Sequence, residues 1–396
     1  LTKINHTMKK TLSLLTALVL LFCVSLSHAQ NTQTFSFQGN VFQTYTVPIT
    51  GWYLLDASGA EGAWWCNGWD GCKPGGLGAR LQNYTRLVAG DVLTISVGEK
   101  GGTDGMFFGC CTPTACYHSQ DGAGGGGASH IMKMVNGSYQ PLMVAAGGGG
   151  GSSQSEGSPG LAPNCAGGTG GGIGSDYNGG AGGGGYSYDG ASHYDHTNTE
   201  LLSAGGQSFQ NGNYGGIGRV VTDYDWYGEY SYWTYGGWGG GGSGGPMSGC
   251  LNSGGGGGGG GWNGGNGGTD KFSGGQGGCS FVPFVNYGYR DSSGVNSGNG
   301  SVSITGPNIV TDTVNATSVP YIWPVNGGSY SNAGTYVWED PAHAVTHILD
   351  LSFVTLGACQ NYTRVDTTIV SCGGYTFPLT GRTYTENTTD SIRIGC

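Results

Sequence analysis

The sequence is poor in charged residues, and above all in basic ones. Only 10% of its 396 residues are charged, and 14 Lys and Arg stand against 24 Asp and Glu, which gives a formal net charge of −10. So few cations make the chain a poor candidate for binding nucleic acid or anionic membranes. The low charge density also leaves little self-repulsion to keep the chain expanded.

Long apolar runs are absent beyond the N-terminal segment, and no stretch has the pattern of a long amphipathic helix. A membrane-spanning helix needs about 20 consecutive apolar residues. The mostly apolar stretch Thr11–Leu26 is shorter, follows Met8 and the basic residues Lys9 and Lys10, and precedes small residues at positions 27 and 29. This arrangement predicts a secretory signal peptide over residues 1–29, with 1–7 as a spurious extension. The expected location is extracellular or on the cell surface.

Glycine is the residue present in excess, with 86 copies that are bunched in the sequence. The main runs are Gly124–Gly127, Gly147–Gly151, Gly182–Gly185, Gly239–Gly242 and Gly254–Gly261. Ordering backbone costs roughly 1–2 kcal/mol per residue, so the run of eight would cost about 8–16 kcal/mol without burying a side chain. The runs are therefore either disordered or held by backbone hydrogen bonds.

Aromatic residues and cysteines among the glycines favour the ordered alternative. The chain has 23 Tyr, 12 Phe and 10 Trp, whereas disordered segments are normally poor in aromatics. Glycine segments can form left-handed, three-residue-per-turn helices of the polyproline II kind, whose N–H and C=O groups point outward. Without Cβ atoms such helices can approach one another and satisfy their backbone groups laterally. We therefore expect a bundle of polyglycine II helices.

Segments typical of strands lie on both sides of the glycine-rich centre, because β-branched and aromatic residues alternate there with polar ones. They are Thr34–Val47, Gly51–Ala57, Ala79–Ala89, Val92–Val97, Ser129–Val135, Pro141–Ala145 and Ser301–Thr305. The sheet must close around an insertion running from about Gly98 to Gly298. The predicted fold is mainly β: residues 30–306 form a jelly-roll-like β-sandwich with an inserted polyglycine II helix bundle.

The order of these segments resembles a known family. The matching stretches are Tyr53–Gly62, Asp91–Gly101, Gly124–Ser129, Pro141–Gly150, Gly254–Gly265 and Gly300–Ile304. They occur in the order seen in the extracellular glycine-rich, TNF-like domain of the anaplastic lymphoma kinase and leukocyte tyrosine kinase receptors. The resemblance implies a jelly-roll sheet interrupted by packed polyglycine helices. This chain shows no kinase, so receptor signalling is not carried over.

After residue 306 the composition changes, and a short pattern occurs twice. Tyr321 to Tyr330 and Tyr375 to Tyr384 share the pattern Y-x-[WF]-P-x-x-G-x-x-Y at a spacing of 54 residues. This predicts two short β repeats over residues 307–396, similar to those of bacterial surface proteins. The second copy is expected to be truncated, as in a fragment of a longer surface protein.

Cysteines are expected to form disulfides in an exported chain. The candidates are Cys66, Cys72, Cys110, Cys111, Cys116, Cys165, Cys250, Cys279, Cys359 and Cys372. Adjacent Cα atoms are about 3.8 Å apart, shorter than the usual disulfide span of about 4.4–6.8 Å, so Cys110 and Cys111 should each pair elsewhere. The sequence leaves the pairing open.

Catalytic and metal-binding patterns are weak, so we expect no enzyme activity, no cofactor and no metal. Ser243 lies in a protease-like string that lacks the expected Asp, and the Gly-rich matches to dinucleotide motifs lack the flanking strand and helix. The pairs His193/His196 and His343/His347 have no third ligand nearby in sequence. Surface histidines explain them better.

Two aromatic clusters are the candidate binding surfaces. They contain Trp64, Trp65, Trp69, Trp226, Tyr230, Trp233 and Trp238. Rigid aromatics suit sugar faces and protein hot spots, although they could equally cover the sides of the glycine bundle. The sequence thus predicts a non-enzymatic adhesion or ligand-recognition protein whose partner is a protein or glycan at a cell surface. The alternatives are a passive matrix or stalk component and, less favoured, a secreted hydrolase.

Overall fold

A computed structural model describes most of the chain after residue 30. The described residues are 31–67, 71–104, 107–112, 115–119, 121–163, 165, 167–194, 200–218, 221–225, 228–246, 254–354, 375–376 and 383–384. The chain divides into two compact units. The first extends to Val310 and includes Glu339–His347, and the second comprises Thr311–Trp338 and the chain from Ile348 onward.

The fold is mainly β, as predicted. Up to residue 145 the strands are β1 Thr32–Ser36, β2 Gln43–Thr46, β3 Gly51–Ser58, β4 Trp65–Asn67, β5 Gly71–Lys73, β6 Gly78–Leu87, β7 Val92–Ser96, β8 Gly102–Asp104, β9 Phe107–Thr112, β10 Ala115–Ser119, β11 Ser129–Val135 and β12 Ser138–Ala145. Then come β13 His193–Tyr194, β14 Leu201–Ser203, β15 Val221–Asp225, β16 Gly228–Tyr235, β17 Arg290–Asn296, β18 Ser301–Thr305, β19 Ile309–Ala316, β20 Tyr321–Ile322, β21 Ser329–Tyr330, β22 Gly334–Asp340, β23 Val345–Phe353, β24 Tyr375–Thr376 and β25 Thr383–Tyr384. In the described part of the chain the one helix is a 3-10 turn, Phe209–Asn211.

Two antiparallel sheets share the main hydrophobic core of the first unit. One has the order β1-β18-β3-β6-β17 and the other β12-β11-β7-β2. In β3 the buried Tyr53, Leu55 and Ala57 alternate with the less buried Leu54 and Asp56, because successive side chains of a strand point to opposite faces. The core is formed by such residues from both sheets. The segment predicted as one strand from residue 34 to 47 is instead split into β1 and β2, which belong to different sheets.

Backbone hydrogen bonds to neighbouring segments hold the glycine run Gly254–Gly261. The N–H groups from Gly255 to Gly261, followed by that of Trp262, donate in a cycle of three to the carbonyls of three neighbouring segments, at 2.7–3.2 Å. The first accepting segment is residues 178–184. Its carbonyls at positions 178, 181 and 184 accept from the N–H groups of Gly255, Gly258 and Gly261, respectively. The other two accepting segments are residues 273–279 and 123–126.

The carbonyls of the same run accept hydrogen bonds from three further segments. The donors are N–H groups of Gly245 and Gly242, of Gly268 and Gly265, and of Gly150 and Gly147. The accepting neighbours run parallel to the central segment and the donating ones run antiparallel to it. We call the run and its six neighbours the glycine array: residues 254–261, 123–126, 147–150, 178–184, 242–245, 265–268 and 273–279.

The array needs glycine for steric reasons. A Cβ on Gly258 would lie 1.9 Å from the carbonyl oxygen of Gly265, and one on Gly257 would lie 2.1 Å from that of Gly242. Such distances leave no room for a methyl group against a neighbouring backbone. None of the glycines from Gly254 to Gly261 has a positive φ.

The second unit has its own small core and two hairpins of matching geometry. Trp323, Leu349, Leu351 and Ala316 are buried together. In β20–β21 Tyr321 lies opposite Tyr330, and in β24–β25 Tyr375 lies opposite Tyr384. The repeated sequence pattern therefore corresponds to the same strand pairing in both copies.

Two disulfides form among the candidate cysteines that lie in the described ranges. Cys66 pairs with Cys72 and Cys165 pairs with Cys279, across separations of 6 and 114 residues. Strand register places the Cα of Cys116 opposite that of Cys110, while Cys250, Cys359 and Cys372 lie outside the described residues. No helix in the described ranges is long and apolar enough to cross a membrane.

Candidate ligand-recognition site

The first aromatic cluster lies at the base of a short hairpin closed by a disulfide. Strands β4 and β5 pair with Cys66 directly opposite Cys72, and the disulfide links the two strands at that pair. Trp65 begins β4 and is 2% exposed, in a small core with Ala63 and Ala123. The Ala63 N–H donates to the Gly124 carbonyl at 2.8 Å, so the base of the hairpin is tied to the glycine array.

Trp64 is held at the surface immediately before this buried residue. Its side chain is 46% exposed, which fits the alternation of side chains along an extended segment. The indole Nε1–H donates a hydrogen bond to the Oε1 atom of Glu61. A large apolar ring is thus exposed to solvent and fixed in orientation by its polar edge.

Glu61 is the buried centre of the cluster. Its side chain is 5% exposed, its Oε2 accepts from the Gly298 N–H at 2.8 Å, and the Lys100 Nζ lies 3.2 Å from the same oxygen. Burial raises the pKa of Glu61, but the hydrogen bonds from Gly298 and Trp64 and the adjacent Lys100 ammonium outweigh it, and the pKa is lowered. The carboxylate therefore stays ionised at neutral pH.

Lys100 completes the cluster above the indole ring. Its Nζ lies 5.7 Å from the Trp64 ring centroid, within the range of a cation–π contact, and its side chain is 38% exposed. The Lys100 backbone N–H donates to the Asn299 Oδ1 at 2.8 Å. Glu61 and Lys100 thus contact Trp64, and Asn299 contacts the backbone of Lys100. We call Glu61, Trp64, Lys100 and Asn299 the Trp64 cluster.

The arrangement suits binding rather than proton transfer. The carboxylate of Glu61 is buried, ionised and occupied by three donors, which is opposite to the raised pKa that a general acid needs. What the cluster offers to solvent is an indole face, an ammonium group and an amide. In the described part of the chain no group of three metal-ligating side chains comes together either.

The structure changes which of the predicted aromatics can face a ligand. Trp65 and Trp238 are each 2% exposed, so they are removed from the predicted binding surface. Trp238 packs edge-on against Phe42 and Tyr214, at centroid distances of 5.3 and 5.1 Å. Burial as packing residues, the alternative considered from the sequence, accounts for both.

The remaining predicted residues are placed in less detail. Tyr230 and Trp233 belong to β16, which pairs with β15 and β8, and only their backbone is described. Trp69 and Trp226 lie outside the described residues. Of the predicted surface, Trp64 is therefore the residue on which a site can be built.

Other aromatics cover the array, as the sequence allowed. The Trp262 ring stacks on Tyr186 and on Phe281, with centroid distances of 4.8 and 4.1 Å. Trp262 directly follows the central glycine run, and its ring packs against a buried cluster that includes Phe209. These rings supply the apolar surface that glycine lacks.

Glu61, Lys100 and Asn299 were not predicted from the sequence. Glu61 is an isolated acid among small residues, which is a weak signal for a buried charge. Its partners Lys100 and Gly298 lie 39 and 237 residues away, and no local pattern links such distant positions.

Comparison of the chain with protein-family models and with curated proteins found no match.

Proposed function

We propose that this chain is a secreted, non-enzymatic recognition protein that binds a protein or glycan ligand at a cell surface through the Trp64 cluster. The observation that carries the proposal is the state of Trp64 itself. An indole that is 46% exposed yet fixed by a buried carboxylate loses little conformational entropy on binding. Exposed aromatics held in this way are frequent among binding hot spots.

The finer fold is part of the proposal. The cycle of three in the hydrogen bonds of Gly254–Gly261 and the absence of positive φ there support polyglycine II helices, which have three residues per turn. The two sheets that share one core support a jelly-roll-like sandwich around this bundle. The resemblance to the glycine-rich receptor domains agrees with both. In this view the array supplies a rigid base for the hairpin.

The alternative is a passive matrix or stalk component in which the array supplies only stiffness. Nothing in that role requires an exposed tryptophan that is hydrogen-bonded to a buried carboxylate, so the Trp64 cluster favours recognition. A secreted hydrolase is less favoured. The Glu61 carboxylate has a lowered pKa, so it is not suited to act as a general acid, and its burial keeps it from a substrate.

Binding by purified protein tests the proposal. The full chain and its Trp64→Ala variant would be applied to immobilised glycans, to extracellular matrix proteins and to whole cells. We expect the wild-type chain to bind a subset and Trp64→Ala to lose at least about tenfold in affinity, the effect of one hot-spot residue. Phe284→Ala is the matched control, because Phe284 is 75% exposed and lies in another segment.

Equal losses for the two variants would mean that any exposed aromatic contributes, and would contradict a specific site. A wild-type chain that binds nothing in the three sets would favour the structural alternative.

A further inference from the structure

Two hairpins of the first unit share the same spacing of cysteines. Strands β4 and β5 form one of them, in which Cys66 and Cys72 are six positions apart, lie directly opposite and are joined by a disulfide. Strands β9 and β10 form the other, in which Cys110 and Cys116 are also six positions apart and have directly opposite Cα atoms. The second hairpin therefore has the same backbone arrangement that carries a bond in the first.

The geometry of paired strands permits a bond at these positions. Residues directly opposite in an antiparallel pair have Cα atoms about 4.5 or 5.5 Å apart, depending on whether they exchange backbone hydrogen bonds. Both distances lie within the span of about 4.4–6.8 Å that disulfides bridge. The backbone therefore needs no rearrangement to join Cys110 with Cys116.

The register also distinguishes between the two adjacent cysteines. Cys116 is opposite Cys110, whereas the preceding residue of β10 is opposite Thr112. Cys111 is the extra residue at this shift of register, as in a β-bulge, and it has no Cα partner on β10. The sequence left both cysteines open as partners of Cys116, and the strand pairing favours Cys110.

A disulfide also supplies the support that such a hairpin lacks. Strands β4 and β5 form a sheet of two strands, and so do β9 and β10. An isolated two-stranded hairpin is marginally stable in water, and a disulfide stabilises it by restricting the unfolded chain. The first hairpin has this support from its own disulfide.

We infer that Cys110 and Cys116 form a disulfide that closes the β9–β10 hairpin. The two thiols lose two electrons and two protons as the Sγ–Sγ bond forms, and a protein or small-molecule disulfide accepts them and becomes two thiols. The Cys66–Cys72 and Cys165–Cys279 disulfides require an oxidant of the same kind. The inference goes beyond the proposed function, because the bond forms without any ligand.

The hairpin follows the Trp64 cluster closely in the chain. The Gly101 N–H donates to the Glu61 carbonyl at 3.0 Å, β8 begins at the next residue, and β9 begins at Phe107. Strand β4 likewise begins directly after Trp64. With the second bond formed, the chain leaves the cluster into a disulfide-closed hairpin at both places.

Disulfide mapping of the full chain, produced by export to an oxidising compartment, tests the inference. The protein is alkylated without reduction and digested with a protease of broad specificity that cuts between Thr112 and Cys116. Mass spectrometry then identifies the peptide linked to Cys116, and fragment ions that separate Cys110 from Cys111 assign the partner. We expect the partner to be Cys110 and the link to disappear on reduction.

A link from Cys116 to Cys111 or to Cys250 would overturn the inference. An alkylated Cys116 in a digest that retains the Cys66–Cys72 link would overturn it as well, because that link shows that the oxidised protein was analysed.

Two serine variants separate loss of this bond from loss of a neighbouring thiol. Cys111→Ser keeps both members of the proposed pair and should retain the link, whereas Cys116→Ser removes it. Amide hydrogen exchange of β9 and β10 should be about tenfold or more faster in Cys116→Ser than in the wild type. Exchange as slow as in the wild type, or loss of the link in Cys111→Ser, would contradict a bond between Cys110 and Cys116 that holds this hairpin.

Discussion

The two-sheet core and the glycine array of the first unit are stabilised in opposite ways. In the sheets, residues such as Leu55, Leu81 and Ile95 are fully buried, and each contributes about 1.5–3 kcal/mol through removal of apolar surface from water. In the array the central run has no side chains, and its N–H and C=O groups bond to six neighbouring segments. The comparison shows two ways to order a backbone. One is burial of apolar side chains, and the other is close packing of glycine segments that hydrogen-bond to one another.

The largest expected effect comes from adding one methyl group inside the array. Gly258→Ala would place a Cβ 1.9 Å from the Gly265 carbonyl oxygen, and neighbours on all sides prevent relaxation. We expect a loss of more than about 3 kcal/mol in the free energy of unfolding, beyond the usual cost of overpacking. Gly172→Ala is the control, because the atom nearest to its added Cβ would be the Asn266 Oδ1, at 3.3 Å. Thermal unfolding of both variants measures the difference, and similar melting temperatures would show that the array adjusts easily.

The sheet core should respond to the opposite change, removal of side-chain volume. Leu55→Ala deletes a fully buried side chain and is expected to cost about 2–5 kcal/mol, through lost burial and a residual cavity. Leu54→Ala, on the other face of the same strand, should cost clearly less because Leu54 is only partly buried. Denaturant unfolding would compare them. Equal costs would mean that the second face of β3 is as tightly packed as the core.

An effect that is smaller for each pH unit is expected from acidification, and it arises in the sheet region. His130 lies in β11, and burial lowers its pKa to about 3 against the opposing effect of the Ala128 carbonyl. Since the unfolded chain binds this proton near pH 6.5 and the folded chain does not, stability is full above pH 6.5 and falls as the pH drops toward 3. One such group contributes a slope of about 1.4 kcal/mol per pH unit.

His130→Phe is the matched variant for that measurement, because it keeps an aromatic ring next to Phe209, whose centroid lies 4.9 Å from that of His130. The slope of unfolding free energy against pH should become shallower in the variant. An unchanged slope would assign the acid sensitivity to other groups. The central glycine run has no titratable side chain, so its amide protection should follow pH only through global unfolding.

Several local elements could be predicted from the sequence because their signals are local. The alternation in Ser301–Thr305 predicted β18 with the observed bounds, and the repeat at Tyr321 and Tyr375 predicted aromatic strand–turn–strand units. The prediction of a single strand from residue 34 to 47 was wrong, because β1 and β2 belong to different sheets. Periodicity reports exposure of side chains and carries no information on which sheet a strand joins.

The candidate site was predictable only in part. Trp64 and Trp65 are adjacent and chemically identical, and the sequence offered both as binding residues. Their exposures of 46% and 2% follow from which side of the extended segment faces Ala63 and Ala123. The pairing of Cys66 with Cys72 and of Cys165 with Cys279 was likewise open until the strands and loops were placed.

Composition and periodicity were enough to predict that the chain is mainly β. They also showed that its glycine runs, if ordered, must be held by backbone hydrogen bonds, because glycine has no side chain to bury. The packing of the whole chain decides which six segments surround Gly254–Gly261, and it brings Lys100 to Glu61 and Trp64 and Asn299 to Lys100. Lateral hydrogen bonds and ion pairs join residues that are far apart in sequence, and their partners are selected by packing of the whole chain.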